Sequence, residues 1–227
     1  MILTWQQIPS PLVTEILCNS GCEGIVLDTE HGGFNDETVI SCIQVATLSG
    51  KKCLVRLTEI DKTKIRYYLD SGAHGLIFST VETIEQAKKI IDFSCFPPRG
   101  HRGLGLVRQN MWGEKNLISD DPILIPQIET KEGVENLASI VALNFDYYLI
   151  GPYDLSLSLG IPGEFDNDLF MMYINKINDI LPVEKRAVHV PTNVDSQLPK
   201  YPNYGIRCLG MDTMAIMEYH REIIRNA

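Results

Sequence analysis

The 227-residue chain lacks the features that mark several classes of protein. It has no run of about eighteen apolar residues to cross a membrane, and its first residues do not resemble a secretion signal. Basic residues are fewer than acidic ones, 20 against 29, and they form no cluster. Because nucleic acids and anionic membranes attract basic surfaces, neither is an expected partner. We therefore expect a cytoplasmic protein.

Cysteine occurs at six positions, but without the spacing that indicates a zinc site or a disulfide framework. There is no CxxC pair, and most of the cysteines stand inside apolar segments, such as Cys53 in the segment 52–55 and Cys208 in the segment 207–209. Internal repeats and low-complexity tracts are also absent from the sequence. Buried free thiols are the expectation.

The chain does contain a regular alternation of short apolar segments and helical patterns. Buried parallel strands appear in a sequence as continuous apolar runs. Eight such strands are predicted, at residues 2–7, 24–28, 53–57, 75–79, 123–127, 146–150, 186–190 and 205–210. Helices are predicted at residues 10–19, 36–47, 62–71, 84–93, 131–143, 169–180 and 213–224. The connection 195–204 is weaker, since Pro199 and Pro202 would shorten a helix there.

Residues 1–227 are predicted to form a single-domain (β/α)8 barrel of the TIM type, in the α/β class. A doubly wound open sheet is the alternative. The barrel is favoured because polar residues follow the C-terminal ends of different strands, where barrel enzymes assemble their active sites. In an open sheet those residues would be spread along an edge too wide for one small ligand. The segment 95–121, rich in turn residues, is expected to lie over the barrel mouth.

The segment Asp28-Thr29-Glu30-His31-Gly32 places three ionisable side chains directly after the second predicted strand. Burying such groups without partners is unfavourable, so the cluster favours a functional role. A carboxylate of Asp28 close to the imidazole of His31 would fix the tautomer and raise the basicity of that imidazole, as a proton-transfer pair requires. The alternative is a helix start in which Asp28 is the cap and His31 is solvated.

Two further carboxylates follow neighbouring strands of the predicted barrel. Glu129 stands two residues after Gln127 at the fifth strand, and Asp154 stands one residue after Tyr153 at the sixth. Two carboxylates with open positions beside them suit Mg²⁺ or Mn²⁺, which keep waters and accept substrate oxygens. Either residue alone would be interpreted as belonging to a helix start, but their pairing across adjacent strands favours a metal site.

Other polar side chains interrupt or follow apolar strands. Arg56 stands inside the run 53–57 and needs a buried anionic partner, so we predict that it binds a substrate carboxylate or stabilises an enolate. A structural salt bridge to Asp28 or Glu129 is the alternative. His189 could reach the barrel mouth, and a hydrogen-bonded core histidine is the alternative for it. Asp212 is expected to cap the last helix.

Several motifs occur along the chain in a distinctive order. They are Leu27-Asp28-Thr29-Glu30-His31-Gly32, Val55-Arg56, Leu69-Asp70-Ser71-Gly72-Ala73-His74-Gly75, Pro97-Pro98-Arg99-Gly100-His101-Arg102-Gly103, Gln127-Ile128-Glu129-Thr130, Gly151-Pro152-Tyr153-Asp154-Leu155-Ser156 and Gly210-Met211-Asp212-Thr213. In this order they resemble the HpcH/HpaI aldolase family, the class II metal-dependent 2-oxo acid aldolases that include 2-dehydro-3-deoxyglucarate and 4-hydroxy-2-oxoheptanedioate aldolases. The resemblance runs from about residue 12 to the C-terminus.

The resemblance implies a (β/α)8 barrel that assembles as a homo-oligomer, a hexamer or a trimer, with an exchanged terminal helix. It implies a Mg²⁺, Mn²⁺ or Co²⁺ ion held by Glu129 and Asp154. It also implies that His31, oriented by Asp28, is the catalytic base, and that Arg56 stabilises the enolate of pyruvate.

Substrate-binding positions are implied in the same way. Gln127 and the backbone near Tyr153 would hold the carboxylate of pyruvate. Asp70 would be a catalytic residue near the aldehyde, although at a helix end it is equally a plain surface residue. Ser79 and His189 would lie on the substrate side of the site.

The function implied is a carbon–carbon lyase that cleaves a 4-hydroxy-2-oxo acid into pyruvate and an aldehyde, or catalyses the reverse addition. An oxaloacetate-type decarboxylase, a citrate-lyase-like enzyme and a non-catalytic barrel subunit are the alternatives. The chain departs from the family pattern at Leu57, where many members have proline, and at the segment 78–80, which lacks the usual proline. These departures surround the aldehyde side, so they leave the identity of the aldehyde open.

Overall fold

Eight parallel strands form a closed barrel, in the order of the chain, in the computed structural model, which describes residues 1–115, 121–200 and 203–227. The strands are β1 (Ile2–Gln6), β2 (Gly24–Asp28), β3 (Lys52–Leu57), β4 (Gly75–Phe78), β5 (Ile123–Ile128), β6 (Tyr148–Ile150), β7 (Arg186–Val190) and β8 (Ile206–Met211). Strand β1 pairs with both β2 and β8, which closes the ring. The predicted barrel is confirmed, and the open sheet is excluded.

Helices return the chain from the C-terminal ends of the strands to their N-terminal ends. They are α1 (Pro11–Cys18), α2 (Asp36–Leu48), α3 (Lys62–Asp70), α4 (Ile84–Ser94), α5 (Lys131–Glu135), α6 (Leu137–Val141), α7 (Pro152–Ser158), α8 (Asp168–Ile180), α9 (Val194–Gln197) and α10 (Asp212–Arg225). Short polar residues begin several of them: the side chains of Ser10, Asn35, Asp61 and Thr83 each accept a hydrogen bond from a first-turn backbone N–H. Within the described ranges, no helix has the length and apolar character needed to span a membrane.

Three connections differ from the sequence prediction. The predicted helix 131–143 is two short helices, α5 and α6, because the chain departs from helical geometry at Asn136 (φ −92°, ψ 1°). The side-chain amide of Asn136 donates to the carbonyl of Glu82 at 2.8 Å, which holds the break in place. The loops after β6 and β7 contain α7 and α9, which have seven and four residues and are too short to produce a clear periodic pattern.

The segment 95–121 does not cover the barrel mouth in its described part, residues 95–115 and 121, so that expectation is wrong. The backbone N–H of His101 donates to the carbonyl of Asp92 at 2.8 Å, and Nη2 of Arg102 donates to Oδ1 of Asp70 at 2.6 Å. Asp70 and Asp92 lie at the C-terminal ends of α3 and α4. Because α4 has already carried the chain away from the mouth, a loop that follows this helix lies at the opposite end of the barrel.

Apolar side chains fill two layers, one inside the barrel and one between the strands and the helices. Successive residues of a strand alternate between the layers: Val26 points into the barrel interior, whereas Ile25 and Leu27 belong to the outer layer. Because both faces of the strands are covered, the strands appear in the sequence as continuous apolar runs. All six cysteines are buried free thiols, as predicted.

Candidate active site at the mouth of the barrel

A buried ion pair between Arg56 of β3 and Asp28 of β2 lies at the C-terminal end of the barrel. Nε of Arg56 donates to Oδ1 of Asp28 at 3.0 Å, and Nη2 donates to Oδ2 at 2.7 Å. Strand register brings the two together, because they are direct partners in the β2–β3 pairing. The salt bridge that sequence analysis left as the alternative for Arg56 is therefore present.

The carboxylate of Asp28 accepts further hydrogen bonds from two side chains near β1. Nε1 of Trp5 donates to it at 3.0 Å and Nε2 of Gln7 at 3.1 Å. Burial acts to raise the pKa of Asp28, but the hydrogen bonds and the charge of Arg56, helped by Trp5 and Gln7, outweigh burial and lower the pKa to about 2. Asp28 is therefore a permanently charged group at any physiological pH.

The loop that carries His31 is held by the same ion pair. The backbone N–H groups of Glu30 and His31 donate to Oδ1 of Asp28 at 3.1 and 3.2 Å. Oε2 of Glu30 lies 2.6 Å from Nη1 of Arg56 and accepts a hydrogen bond from the hydroxyl of Ser79 at 2.7 Å. Asp28 thus contacts the backbone of His31 and not its imidazole. The expectation that Asp28 fixes the tautomer of that imidazole is corrected: Asp28 positions the loop.

Asp212 ties the last strand to this network. Its carboxylate accepts hydrogen bonds from the backbone N–H groups of Gln7 and Ile8, each at 2.9 Å. The N-cap position of α10 is Met211, one residue before the expected cap, but Oδ1 of Asp212 does accept from the backbone N–H of Thr213 in the first turn at 2.8 Å. Its role in the structure is to hold the loop after β1, from which the side chain of Gln7 reaches Asp28.

An acidic group occupies the side of the mouth formed by β5. The carboxylate of Glu129 is almost fully buried, and its Oε1 accepts from the backbone N–H of Thr80 at 2.7 Å and from the hydroxyl of Thr80 at 2.9 Å. Its Oε2 accepts from the side-chain amide of Gln127. Burial raises the pKa of Glu129 to about 7, against the hydrogen bonds from Thr80 and with a contribution from the negative charges of Asp154 and Glu30.

Neither carboxylate of the predicted metal pair is a helix cap. Thr130 caps α5 by accepting from the backbone N–H of Gly133 at 3.1 Å, which leaves Glu129 free of that task. Asp154 is exposed in the first turn of α7, whose N-cap is Gly151. A Cβ atom on Gly151 would lie 2.7 Å from Oε2 of Glu129, so the close approach of these two strands requires glycine.

Trp5 and His189 form the wall contributed by β1 and β7. Their rings stack with centroids 4.2 Å apart and planes inclined by 13°, and the guanidinium of Arg56 lies 5.0 Å from the centroid of the Trp5 ring. Nε2 of His189 lies 3.4 Å from the carbonyl oxygen of Gly210. Burial lowers the pKa of His189 to about 4, the Gly210 carbonyl opposes this and the charge of Arg56 adds to it, so the imidazole is neutral at pH 7.

Eight of the ten predicted site residues, all but Asp70 and Ser79, line one or both of two adjoining hollows. A cavity of about 260 Å³ is lined by Trp5, Gln7, Asp28, His31, Arg56, Gln127, Leu149, Ile150, Gly151, Pro152, Tyr153, Asp154, His189, Pro191 and Met211. A neighbouring hollow of about 240 Å³ is lined by Glu30, His31, Thr80, Glu129, Thr130, Asp154, Leu157 and Ser158. His31 and Asp154 belong to both, so the imidazole stands where the two hollows meet.

Asp70 lies apart from this group. It is the last residue of α3, at the opposite end of the barrel, and it accepts a hydrogen bond from Arg102. It therefore lies away from the mouth of its own barrel, and its catalytic role stays a prediction. Tyr153 does lie at the mouth, but it is 64% exposed and its ring packs edge-on against Phe165 at 5.0 Å between centroids.

Trp5, Glu30 and Thr80 also belong to the site, although their places in it were not predicted from the sequence. Trp5 stands in an apolar strand, and its indole N–H needs a hydrogen-bond partner when the ring is buried. This need is the signal by which Trp5 could have been found. Glu30 stands inside a motif that was singled out. Thr80 has a φ of +52°, an unfavourable value for a β-branched residue, which no sequence pattern indicates.

A model of the HpcH/HpaI aldolase/citrate lyase family matches residues 2–185. The chain belongs to this family. The 4-hydroxy-2-oxo-heptane-1,7-dioate aldolase of Salmonella typhimurium is 31% identical over 166 residues, which cover 70% of this chain and 63% of the relative. The chain thus matches less than two thirds of the length of such curated relatives. The 2-keto-3-deoxy-L-rhamnonate aldolase of Escherichia coli is 27% identical over 226 residues, covering 92% of this chain and 82% of the relative.

Two solved structures have the same barrel. The crystal structure of the citrate synthase SbnG superposes with a TM-score of 0.86 at 27% identity, covering 99% of this chain and 91% of that one. A family protein from Burkholderia cenocepacia superposes with a TM-score of 0.89 at 20% identity, covering 100% of this chain and 93% of that chain. The second likeness supports the fold alone.

Replacing Asp28 by asparagine should destabilise the protein by about 3 kcal/mol at pH 7, because it leaves a buried guanidinium without its main counter-charge. The folded pKa of about 2 lies below the unfolded value of about 3.9. Asp28 therefore stabilises the native protein above pH 4, and this stability is lost as the pH falls through about 2. Urea unfolding of both proteins between pH 2 and pH 7 measures the difference.

The matched control is the double variant Asp28→Asn with Arg56→Met, in which both charges are removed together. It should be closer to wild type in stability than the single variant, because no buried guanidinium is left without its main counter-charge, and Glu30, which also loses Arg56, is partly exposed and keeps its hydrogen bond from Ser79. A single variant as stable as wild type at pH 7, or an equal acid-induced loss in both proteins, would show that the ion pair does not hold the mouth together.

Proposed function

We propose that the chain is a metal-dependent class II aldolase, which cleaves a 4-hydroxy-2-oxo acid into pyruvate and an aldehyde or catalyses the reverse addition. The observation that carries this proposal is the shared lining of one cavity by Arg56, Gln127 and Asp154. A guanidinium, an amide and a carboxylate able to hold a cation are suited to the keto and carboxylate oxygens of a small 2-oxo acid. Family membership supports the same chemistry.

The residues at the ends of β5 and β6 fit a divalent cation. Burial is the main cause of the raised pKa of Glu129, and repulsion from the carboxylates of Asp154 and Glu30 adds to it. A bound cation would relieve this repulsion. Oε1 of Gln127 is buried and finds no hydrogen-bond partner in the described part of the chain. This oxygen is therefore available as a further metal ligand beside Glu129. The described residues contain no group of three or more His, Cys, Asp and Glu side chains placed to hold a metal. A pair of carboxylates completed by water and substrate oxygens is typical of Mg²⁺ or Mn²⁺.

Glu129 and Asp154 would hold this ion. When bound, it would supply Lewis acidity at the keto group of the substrate. Arg56 would donate hydrogen bonds to the oxygen on which enolate charge develops. Its bonds to Asp28 do not prevent this, because Nη2 donates to Asp28 with one N–H and carries a second. The ion pair orients the guanidinium in advance, which is how a fixed charge contributes to catalysis.

His31 is the proposed base. Its imidazole is exposed where the two hollows meet, and its loop is fixed by hydrogen bonds to Asp28. In the addition direction it would remove a proton from the methyl group of pyruvate, and in the cleavage direction it would return that proton to the carbon. Gln127 would hold the carboxylate of the substrate, with the backbone near Tyr153.

A second candidate is a citrate-synthase type of condensation, in which the chain joins a different carbon nucleophile to a 2-oxo acid. It is supported by the likeness to the citrate synthase SbnG, which extends over nearly the whole of both chains. This reaction does not require proton removal from the methyl group of pyruvate, so an assay of that half-reaction separates the two candidates.

We also propose that the chain forms a homo-oligomer, a hexamer or a trimer. Helix α10 exposes Ile216, Tyr219 and Ile223, which recur at helical spacing along one face, and this apolar stripe suits a second copy of the chain. Light scattering combined with size-exclusion chromatography should give a multiple of the 25.5 kDa chain mass. A monomer at micromolar concentration would contradict this proposal.

Glu129→Gln and Asp154→Asn should each abolish measurable Mn²⁺ binding while the fold is retained, because each removes a ligand charge without changing side-chain volume. Isothermal titration calorimetry measures the affinity, and circular dichroism checks the fold. Glu132→Gln is the matched control, since Glu132 is exposed in the first turn of α5, close in sequence to the site but outside it. Unchanged Mn²⁺ affinity in both site variants would place the metal elsewhere.

Pyruvate alone should exchange its methyl protons for deuterium in D₂O when the protein and Mn²⁺ or Mg²⁺ are present, because enolisation requires no aldehyde. Nuclear magnetic resonance follows the exchange, and a chelator should stop it. His31→Ala should slow it by roughly 10²- to 10⁴-fold, the effect typical of a lost general base. Absence of exchange above the metal-only rate, with folded and metal-loaded wild-type protein, would overturn the aldolase proposal in favour of the alternatives.

A further inference from the structure

The names of the relatives leave two kinds of acceptor open. A heptane-1,7-dioate carries a second carboxylate at the far end of the molecule, whereas a deoxyrhamnonate carries hydroxyl groups. The acceptor aldehyde released by cleavage is accordingly anionic in the first case and neutral and hydroxylated in the second. The lining of the cavity at the barrel mouth bears on which kind this chain accepts.

Barrel topology sets Gln127, one of the groups proposed to hold pyruvate, across the cavity from Trp5 of the Trp5–His189 stack. In a closed ring of eight strands, β1 stands across from β5, and β7 stands across from β3. Arg56 contacts the stack directly, because its guanidinium lies 5.0 Å from the centroid of the Trp5 ring. A ligand held by Gln127 and Arg56 is therefore bounded by the stacked rings, which line the same cavity of about 260 Å³.

The imidazole of His189 offers a hydrogen-bond acceptor to this cavity. It is neutral, and the Gly210 carbonyl oxygen 3.4 Å from Nε2 can only accept, so the ring proton belongs on Nε2. Nδ1 then carries a lone pair, and none of the hydrogen bonds among the described residues involves it. A ligand hydroxyl can donate to this lone pair. A ligand carboxylate cannot, because it has only lone pairs of its own.

The charges around the cavity also disfavour a second carboxylate on the ligand. Among the described lining residues Arg56 is the one permanent cation, and it is already paired with Asp28 and Glu30. Asp154 adds a further negative charge to the lining. The two charges of the divalent ion proposed at this site would be offset by Glu129 and Asp154, so an acceptor with a terminal carboxylate would find no free cation and would be repelled by the carboxylate of pyruvate.

We propose that His189, presented by its stack on Trp5, is a specificity-determining residue that selects a neutral aldehyde bearing a hydroxyl group beside its carbonyl. The selection rests on the proposed aldolase function. The hydroxyl of the acceptor donates to Nδ1, and its carbonyl carbon faces the pyruvate carbon that becomes the nucleophile. Semialdehydes with a carboxylate are rejected, because the lone pair on Nδ1 of His189 and the negative charges around the cavity both repel that carboxylate.

The test compares three acceptors with pyruvate and Mn²⁺: lactaldehyde, propanal, which lacks only the hydroxyl, and succinic semialdehyde. The wild-type kcat/KM for lactaldehyde should exceed that for propanal by about tenfold, the value of one well-placed hydrogen bond, and should exceed that for succinic semialdehyde by more. His189→Phe keeps an aromatic ring for the stack and removes the nitrogen. It should bring the lactaldehyde-to-propanal ratio of kcat/KM close to one, and this ratio, not either rate alone, is the readout.

Further variants keep the result open to contradiction. His189→Leu also lacks the nitrogen and replaces His189→Phe if that larger ring prevents folding, whereas His189→Gln retains an acceptor oxygen and should restore part of the preference. His101→Leu, on the exposed loop at the other end of the barrel, should leave all rates unchanged. A preference for succinic semialdehyde, or a ratio unaffected by His189→Phe and His189→Leu, would overturn the proposal for His189.

Deuterium exchange of pyruvate without aldehyde distinguishes this failure from failure of the function itself. The His189 variants should retain exchange well above the metal-only rate, because the base proposed for pyruvate is His31 and not His189. Exchange in these variants together with an unchanged lactaldehyde-to-propanal ratio would overturn the proposal for His189 and leave the aldolase proposal standing. No exchange in the wild-type protein removes both proposals together.

Discussion

The buried ion pair between Arg56 and Asp28 is the interaction on which the rest of the barrel mouth depends. A charge pair removed from water contributes little net stability, because desolvation offsets most of the attraction, so its importance lies in geometry. Two parallel hydrogen bonds fix the plane of the guanidinium, and every remaining acceptor position of Asp28 is occupied from β1 or from the loop after β2. Removing either partner would leave the other as a buried charge without its main counter-charge.

Polar contacts spread from this pair to one half of the barrel. Asp28 is joined through Gln7 to Asp212, which connects β1 to β8, and Arg56 is joined through Glu30 to Ser79 after β4. Side chains held in this way cannot easily reorient when a ligand enters, because each would lose a partner. The guanidinium of Arg56 is therefore fixed before any substrate binds, as electrostatic stabilisation of a developing charge requires.

Two buried carboxylates at the mouth have opposite pKa shifts, and the contrast separates their tasks. Asp28 faces a guanidinium and has a lowered pKa, whereas Glu129 has hydroxyl, amide and carboxylate neighbours and a raised one. Asp28 is satisfied within the protein. Glu129 lacks a positive partner of its own, which agrees with the proposal that it holds a divalent ion. His189 is a third case, since a neutral imidazole with one free lone pair is suited to the proposed selection by hydrogen bonding and not by charge.

The sequence by itself determined the eight strands, most of the helices and the polar residues that follow the strands, because burial on both faces and helix capping are local patterns. Only the tertiary structure decided how those residues pair. Asp28 binds the guanidinium of Arg56 instead of the imidazole of His31, and Asp212, besides accepting from the first turn of its own helix, holds a loop 205 residues away. Asp70 and the segment 95–115 lie at the far end of the barrel, because the helices before them lead away from the mouth. Partners of this kind come from distant parts of the chain, and closure of the barrel alone brings them within hydrogen-bonding distance.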